Sequence, residues 1–235
     1  MFPLLLLIIS LLPFSMAVDA DEITPVPYQA VYELTYKGLP LEGLRELSVS
    51  GEAYTLTTSA KSPLGYIKET EQFSLHSDGT IRIDSYQYER SVLGSKRYAQ
   101  LSVDKAANKI IYTDKKKRRE IEFLKEYLGP ISYQLQLRRD LKRGCDTLSY
   151  QVISRGRVKN YRFTREGSES ISTKMGTVNT LKVQRVREGK GRNTIFWMSP
   201  QWDFLPVKIW QTEKNGETYV MLLKSLLIDN KVVTL

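Results

Sequence analysis

Glu69 and Glu71 stand two apart in a segment, Glu69 to His76, where side chains alternate in character. On a β-strand that spacing puts both carboxyl groups on one face, next to Phe73. Paired acids roughly 5–10 Å apart carry out glycoside hydrolysis, and i,i+2 neighbours on a strand sit near the low end of that range. A solvated strand face gives the same pair without any chemistry. A second grouping lies further along. Trp197, Trp202 and Trp210 fall within fourteen residues, joined by Phe196 and Phe204. Arg185, Arg187, Lys190 and Arg192 come just before them. Such rings could line a ligand cavity in a barrel mouth. They could equally fill a core where sheet meets helix.

Other chemistry finds little support. The chain has one histidine, His76, and one cysteine, Cys145. Nitrogen and sulfur ligand clusters need several such residues. Asp78 and Asp84 lack the spacing of a calcium loop. No Gly-x-Ser-x-Gly elbow is present, and no glycine-rich phosphate loop precedes a lysine. His76 reads as a strand-end residue. Cys145 reads as a small residue just past a helix end, and alone it forms no internal disulfide. The sequence thus names no catalytic residue, no metal and no cofactor.

Phe2 to Phe14 is a leucine-rich, uncharged run that ends at Ser15-Met16-Ala17. Val18-Asp19-Ala20 offers a second small-residue boundary. This is the layout of a secretory leader. Pro3 and Pro13 interrupt the run, and it falls short of the ~20 residues that a bilayer span needs. Residues 1–17 are therefore read as a cleaved signal peptide, with cleavage up to residue 20 as the alternative. The expected destination is the periplasm. No cysteine near the boundary points to a lipid anchor. Residues 18–27, with Pro25 and Pro27, form an N-terminal extension, and residues 28–235 a single domain.

The net charge of +9 is uneven. Residues 138–192 hold fifteen Lys or Arg against five Asp or Glu. Outside the cytoplasm the matching partners are lipid headgroups, lipopolysaccharide and acidic polymers, not nucleic acid. A solvated basic face is the competing reading. The run Lys115 to Arg119 reads as a solvated loop tip.

The elements that must position these residues are mostly strands. Tyr28, Ala30, Tyr32, Leu34 and Tyr36 share one face at period two. Similar alternation continues through about a dozen segments, separated by turn signals such as Gly51-Glu52, Asp78-Gly79, Met175-Gly176 and Asn215-Gly216. Gly189 to Gly191 reads as a basic loop. Pro206 marks a strand start, an edge or a bulge. Tyr219 to Ile228 is apolar enough for a strand buried on both faces. One helix is expected, opening with Gly129-Pro130 in its first turn and closing at Gly144 in a left-handed conformation. Ile131, Tyr133, Leu135, Leu137 and Leu141 share its apolar arc. The predicted fold is mainly β: an antiparallel meander forming a barrel, roll or sandwich around one central helix that plugs or caps the sheet.

Pro130-x-Ser132-Tyr133, Leu137-Arg138 and Gly144 open a series of short motifs. Tyr161-x-Phe163, Gly176-Thr177 and Leu181-Lys182-Val183 continue it. Trp197-Met198-Ser199-Pro200 and Leu205-Pro206-Val207-Lys208-Ile209 close it. In order and spacing the series resembles a bacterial family of exported proteins, domain-of-unknown-function family 3108, over residues 28–228. The resemblance implies a β-rich periplasmic domain wrapped around a helix. It brings no established catalytic residues. The architecture also resembles that of periplasmic lipoprotein and lipid carriers.

The expected function is non-catalytic binding of an anionic envelope component, a lipid or lipopolysaccharide, or of an envelope protein. The candidate ligand residues are Trp197, Trp202, Arg185, Arg187, Lys190 and Arg192. Two rivals stand beside it: an envelope-polymer hydrolase using Glu69 and Glu71, and a structural subunit of an envelope complex.

Overall fold

Period-two burial dominates the molecule. The structure, a computed structural model, describes residues 24–36, 39–76, 79–123, 127–186, 193–213 and 215–235. The leader and the Gly189–Gly191 loop lie outside these residues. Eight strands precede the helix: β1 (Tyr28–Tyr36), β2 (Leu39–Ser50), β3 (Ala53–Ser62), β4 (Gly65–Leu75), β5 (Ile81–Val92), β6 (Ser95–Asp104), β7 (Lys109–Asp114) and β8 (Lys117–Glu122). Helix α1 spans Tyr133–Lys142. Then come β9 (Leu148–Ile153), β10 (Val158–Thr173), β11 (Gly176–Arg185), β12 (Asn193–Ser199), β13 (Leu205–Thr212), β14 (Thr218–Ile228) and β15 (Lys231–Val232).

All fifteen described strands belong to one antiparallel sheet, in the order β8-β7-β6-β5-β4-β3-β2-β1-β14-β13-β12-β11-β10-β9, with β15 beside β14. Each half is a meander, and the β1–β14 ladder joins them from Tyr28↔Ile228 to Thr35↔Val220. The sheet curls without closing. Its two ends approach where Ile153 packs with Ile83, Tyr86, Leu101 and Ile110. Leu128 makes an isolated parallel bridge to Val152 along the free edge of β9. A covered edge of this kind blocks pairing with other chains.

Helix α1 lies against the concave side. Leu135, Leu137 and Leu141 join one core with Tyr32, Leu47 and Phe73 of the first meander and Phe163 and Phe196 of the second. The broad apolar arc is thus covered from both halves. Pro130 does not open the helix, because Ser132 Oγ accepts the Gly129 N–H at 3.0 Å and closes a turn around it first. Gly144 takes φ +71° just past the helix, the left-handed geometry that a glycine adopts without strain.

Two other expectations change, and the one for Pro206 holds. Lys117, Arg118 and Arg119 belong to strand β8 and not to a loop tip; only Lys115 and Lys116 turn. The strand survives its charge because Glu120 pairs with Lys109 at 2.7 Å and Arg118 at 3.1 Å. Strand β14 is fully buried only at Leu223 and Leu226, and its other residues are partly or fully exposed. Pro206 sits beside a register shift between β12 and β13, where its missing N–H is tolerated.

Leu137 is fully buried at the centre of the core. Leu137→Ala is expected to lower the unfolding free energy by roughly 2–5 kcal/mol, read from urea titration.

Candidate functional site

The curled sheet is not filled to its end. Beyond the N-terminal turn of α1 a cavity of about 330 Å³ remains. Small inward residues on the surrounding strands, Thr58 on β3, Ala99 on β6 and Thr194 on β12, leave this space. Four arginines line it against one glutamate: Arg45 of β2, Arg97 of β6, Arg155 of the β9–β10 turn, Arg185 of β11 and Glu69 of β4. Tyr86, Tyr88, Tyr112, Tyr133 and Tyr161 make up much of the remaining wall.

Arg45 is the deepest of these charges. It shares the inward face of β2 with Gly43 and Leu47, and the residue is only 4% exposed. Its Nη1 donates to Gln134 Oε1 of the helix at 2.6 Å, and Nη2 makes a long bond to the Ile131 carbonyl. Its Nε is buried without a partner. Among the described residues no carboxylate pairs with it; burial works against its charge, and Tyr28, through charge and a side-chain hydrogen bond, together with Tyr32 and Tyr133, holds its pKa above the ordinary value. A buried cation without a counter-charge is unfavourable. An anion in the cavity would relieve it.

The other lining groups are held by aromatic rings. Arg185 stacks on Tyr161 at 3.3 Å from the ring centroid, and Arg97 lies 5.7 Å from that of Tyr88. Tyr86 donates to Glu69 Oε1 at 3.0 Å. Burial, with Glu69 second, pushes the Tyr86 pKa up, so the hydroxyl keeps its proton as donor. Burial likewise raises Tyr133 to about 12.

Glu71 has a different use. It is fully buried on β4, and its Oε2 accepts the backbone N–H groups of Ile131 at 2.9 Å and Ser132 at 3.2 Å. Ser132 makes no side-chain cap and the first helical turn carries no acid. The carboxyl group of a distant strand therefore caps the helix. Burial outweighs these hydrogen bonds and raises the Glu71 pKa from the ordinary 4.5 to about 7. Gly129 lies directly on this carboxyl group, where a Cβ would collide with it.

The sequence candidates are scattered. Arg185 lines the cavity. Trp197 points away from it: its indole N–H donates to Glu169 at 2.7 Å, and Lys182 and Lys208 flank its ring. Trp202 lines a smaller space of about 90 Å³ beside Tyr28 and Arg138. Arg187, Lys190 and Arg192 lie outside the described residues. Glu69 faces the cavity and Glu71 the helix, so the two acids are put to separate uses. His76 and Cys145 line neither space. Among the described residues no group of three or more His, Cys, Asp or Glu could hold a metal. The basic stretch does not form one face: Arg138 binds the Asp203 carbonyl, Arg139 that of Gly79, and Arg155 and Arg185 line the cavity. Arg45 and Arg97 were missed as site residues, and Glu71 was considered only as half of a catalytic pair. The available signal was a charge on the apolar side of an alternating strand.

An open antiparallel sheet curled over one helix, with an arginine-lined hollow, defines a β-barrel-like protein with an internal cavity. The chain belongs to the DUF3108 family, proteins of unknown function, whose model matches residues 31–224. No curated protein matches it. Among solved structures it is similar to a beta-barrel-like protein of domain-of-unknown-function family DUF1849 from Brucella abortus. That match has 13% identity and a TM-score of 0.49, covering 88% of this chain and 99% of the other. A presumed lipoprotein from Parabacteroides distasonis matches at 16% identity and a TM-score of 0.31, covering 86% and 96%.

Two outcomes test the helix cap. Because the folded pKa of Glu71 lies above its unfolded value, the native state holds the extra proton. Its contribution is fully favourable below about pH 4.5 and is lost as pH rises to about 7, a difference of roughly 3 kcal/mol. Urea titrations across this window should show wild type losing stability relative to Glu71→Gln; parallel curves would refute the raised pKa. Gly129→Ala should lower stability by roughly 1–3 kcal/mol in the same assay.

Proposed function

We propose that this is a non-catalytic protein of the bacterial periplasm that binds an anionic envelope component, a lipid or lipopolysaccharide, by its acidic headgroup in the arginine-lined cavity. The leader-like Phe2–Phe14 run supports the location. One observation supports the binding above all: Arg45 is buried at the cavity wall with no carboxylate partner among the described residues. Guanidinium groups hold phosphate and carboxylate in planar, two-point fashion. A volume of about 330 Å³ is at the low end of ligand-sized cavities, roughly 300–1,000 Å³. It suits a headgroup with the first part of a chain and not a whole diacyl lipid.

Hydrolysis by a carboxylate pair gains less support. That reading needs both acids at one cleft, and Glu71 is committed to the helix.

Calorimetry with dodecyl phosphate tests the proposal at low and high salt. Binding is expected, weakening as salt rises. Arg45→Met should weaken it at least roughly tenfold, and Arg185→Gln, at a less buried position, by a smaller factor. Glu69→Gln should tighten it, because a like charge leaves the wall. Equal affinity in all four proteins would overturn the cavity as the site.

A further inference from the structure

A second surface carries its own message. The chain has ten large hydrophobic side chains marked by exposure among the described residues, and five of them fall in two adjacent hairpins: Leu64, Tyr66, Ile67, Leu93 and Tyr98. Leu64 is in the β3–β4 turn and Leu93 in the β5–β6 turn. Leu93 is 76% exposed. The two tips are fixed to each other. The Leu93 N–H donates to the Leu64 carbonyl at 3.0 Å. Gly65, at φ +142°, lies so close to the Ser91 carbonyl that any Cβ would collide with it. Apolar side chains are thus held in water on a rigid double tip. Burial of that kind of side chain elsewhere is what stabilises the fold, so their exposure asks for a partner.

The charges around the tips say which. Lys61, Lys68, Lys96 and Arg97 are exposed on the same two hairpins. Two of the acids nearby are otherwise engaged. Glu69 accepts from Tyr86 at the cavity wall, and Glu42, opposite Lys61, is bonded to Lys224. Glu89 is half-buried, opposite Lys68 and Tyr98. An apolar point with a basic collar matches an anionic bilayer: leucine and aromatic side chains enter the interface, and cations meet headgroups.

We infer that the joined tips of the β3–β4 and β5–β6 hairpins dock the protein on an anionic lipid membrane. The inference stands without the cavity reading, although Arg97 belongs to both surfaces. Ile67 shares the cavity-side face of β4 with Glu69, so docking would turn the cavity mouth towards the bilayer.

Flotation of the full chain with vesicles of phosphatidylglycerol in phosphatidylcholine, against phosphatidylcholine alone, tests it. Binding to the anionic vesicles is expected, falling with salt. Leu64→Ser/Leu93→Ser should reduce partitioning roughly tenfold or more. Lys68→Gln/Lys96→Gln should reduce it on the order of tenfold and flatten its salt dependence. Leu64→Ser/Leu93→Ser should still bind dodecyl phosphate as wild type does, because neither leucine lines the cavity, which separates the tip from the cavity. No binding to anionic vesicles, wild-type flotation by both tip variants, or loss of dodecyl phosphate binding in Leu64→Ser/Leu93→Ser would each overturn the inference. So would capture of a protein by the tips in place of lipid.

Discussion

The contact between Glu71 and the first turn of α1 governs the arrangement of everything around it. A helix of ten residues has little stability of its own. This one lacks a side-chain cap and an acid in its first turn. A carboxyl group from the fourth strand supplies both, sixty residues away in sequence. That bond sets where the helix begins, and therefore how far it reaches into the curled sheet. Everything on the near side of Ile131 becomes packed core; the far side stays hollow. Gly129 is required for the same reason, because only a residue without a side chain leaves room for the carboxyl group.

The hollow and the anchor share one electrostatic setting. Glu71 and Arg45 both contact the turn at Ile131, the acid through the N–H and the arginine through the carbonyl. The acid tends towards its neutral form, while the guanidinium stays charged. The local excess is therefore positive, and it sits beside tyrosine hydroxyls that keep their protons. Such a wall donates hydrogen bonds in nearly every direction and accepts few.

Much of this fold is visible in the sequence because strands bury every second residue. Tyr28, Ala30 and Tyr32 are buried as their spacing predicts, and Gly51, Gly79 and Gly216 fall between strands. The site is less visible, for two physical reasons. Capping a helix from a strand depends on tertiary proximity, which no local pattern encodes. The cavity is made by what is absent, through Thr58, Ala99 and Thr194, and small residues carry no signature of empty space. Two clues were nevertheless present. Arg45 lies in phase with Leu41, Gly43 and Leu47, and Glu71 with Phe73. An ionic group in step with an apolar face marks a buried charge. The core-filling reading of the tryptophans holds for Trp197 and Trp202, whereas the cavity reading fails for Trp197, whose ring is flanked by Lys182 and Lys208 of neighbouring strands.

The strand order has a consequence for how the molecule is assembled. Seven of the hairpin ladders in the first meander can form between neighbours in the chain, and those of the second meander likewise. The seam between β1 and β14 is the exception, since it unites residues about as far apart as the domain allows. Until β14 has been synthesised, β1 keeps a bare row of amides and carbonyls in what will become the middle of the sheet. Long-range closure of this sort is slow relative to local hairpins. A chain halted ahead of Thr218 would leave both meanders shaped but unjoined, each with a sticky inner border open to other chains.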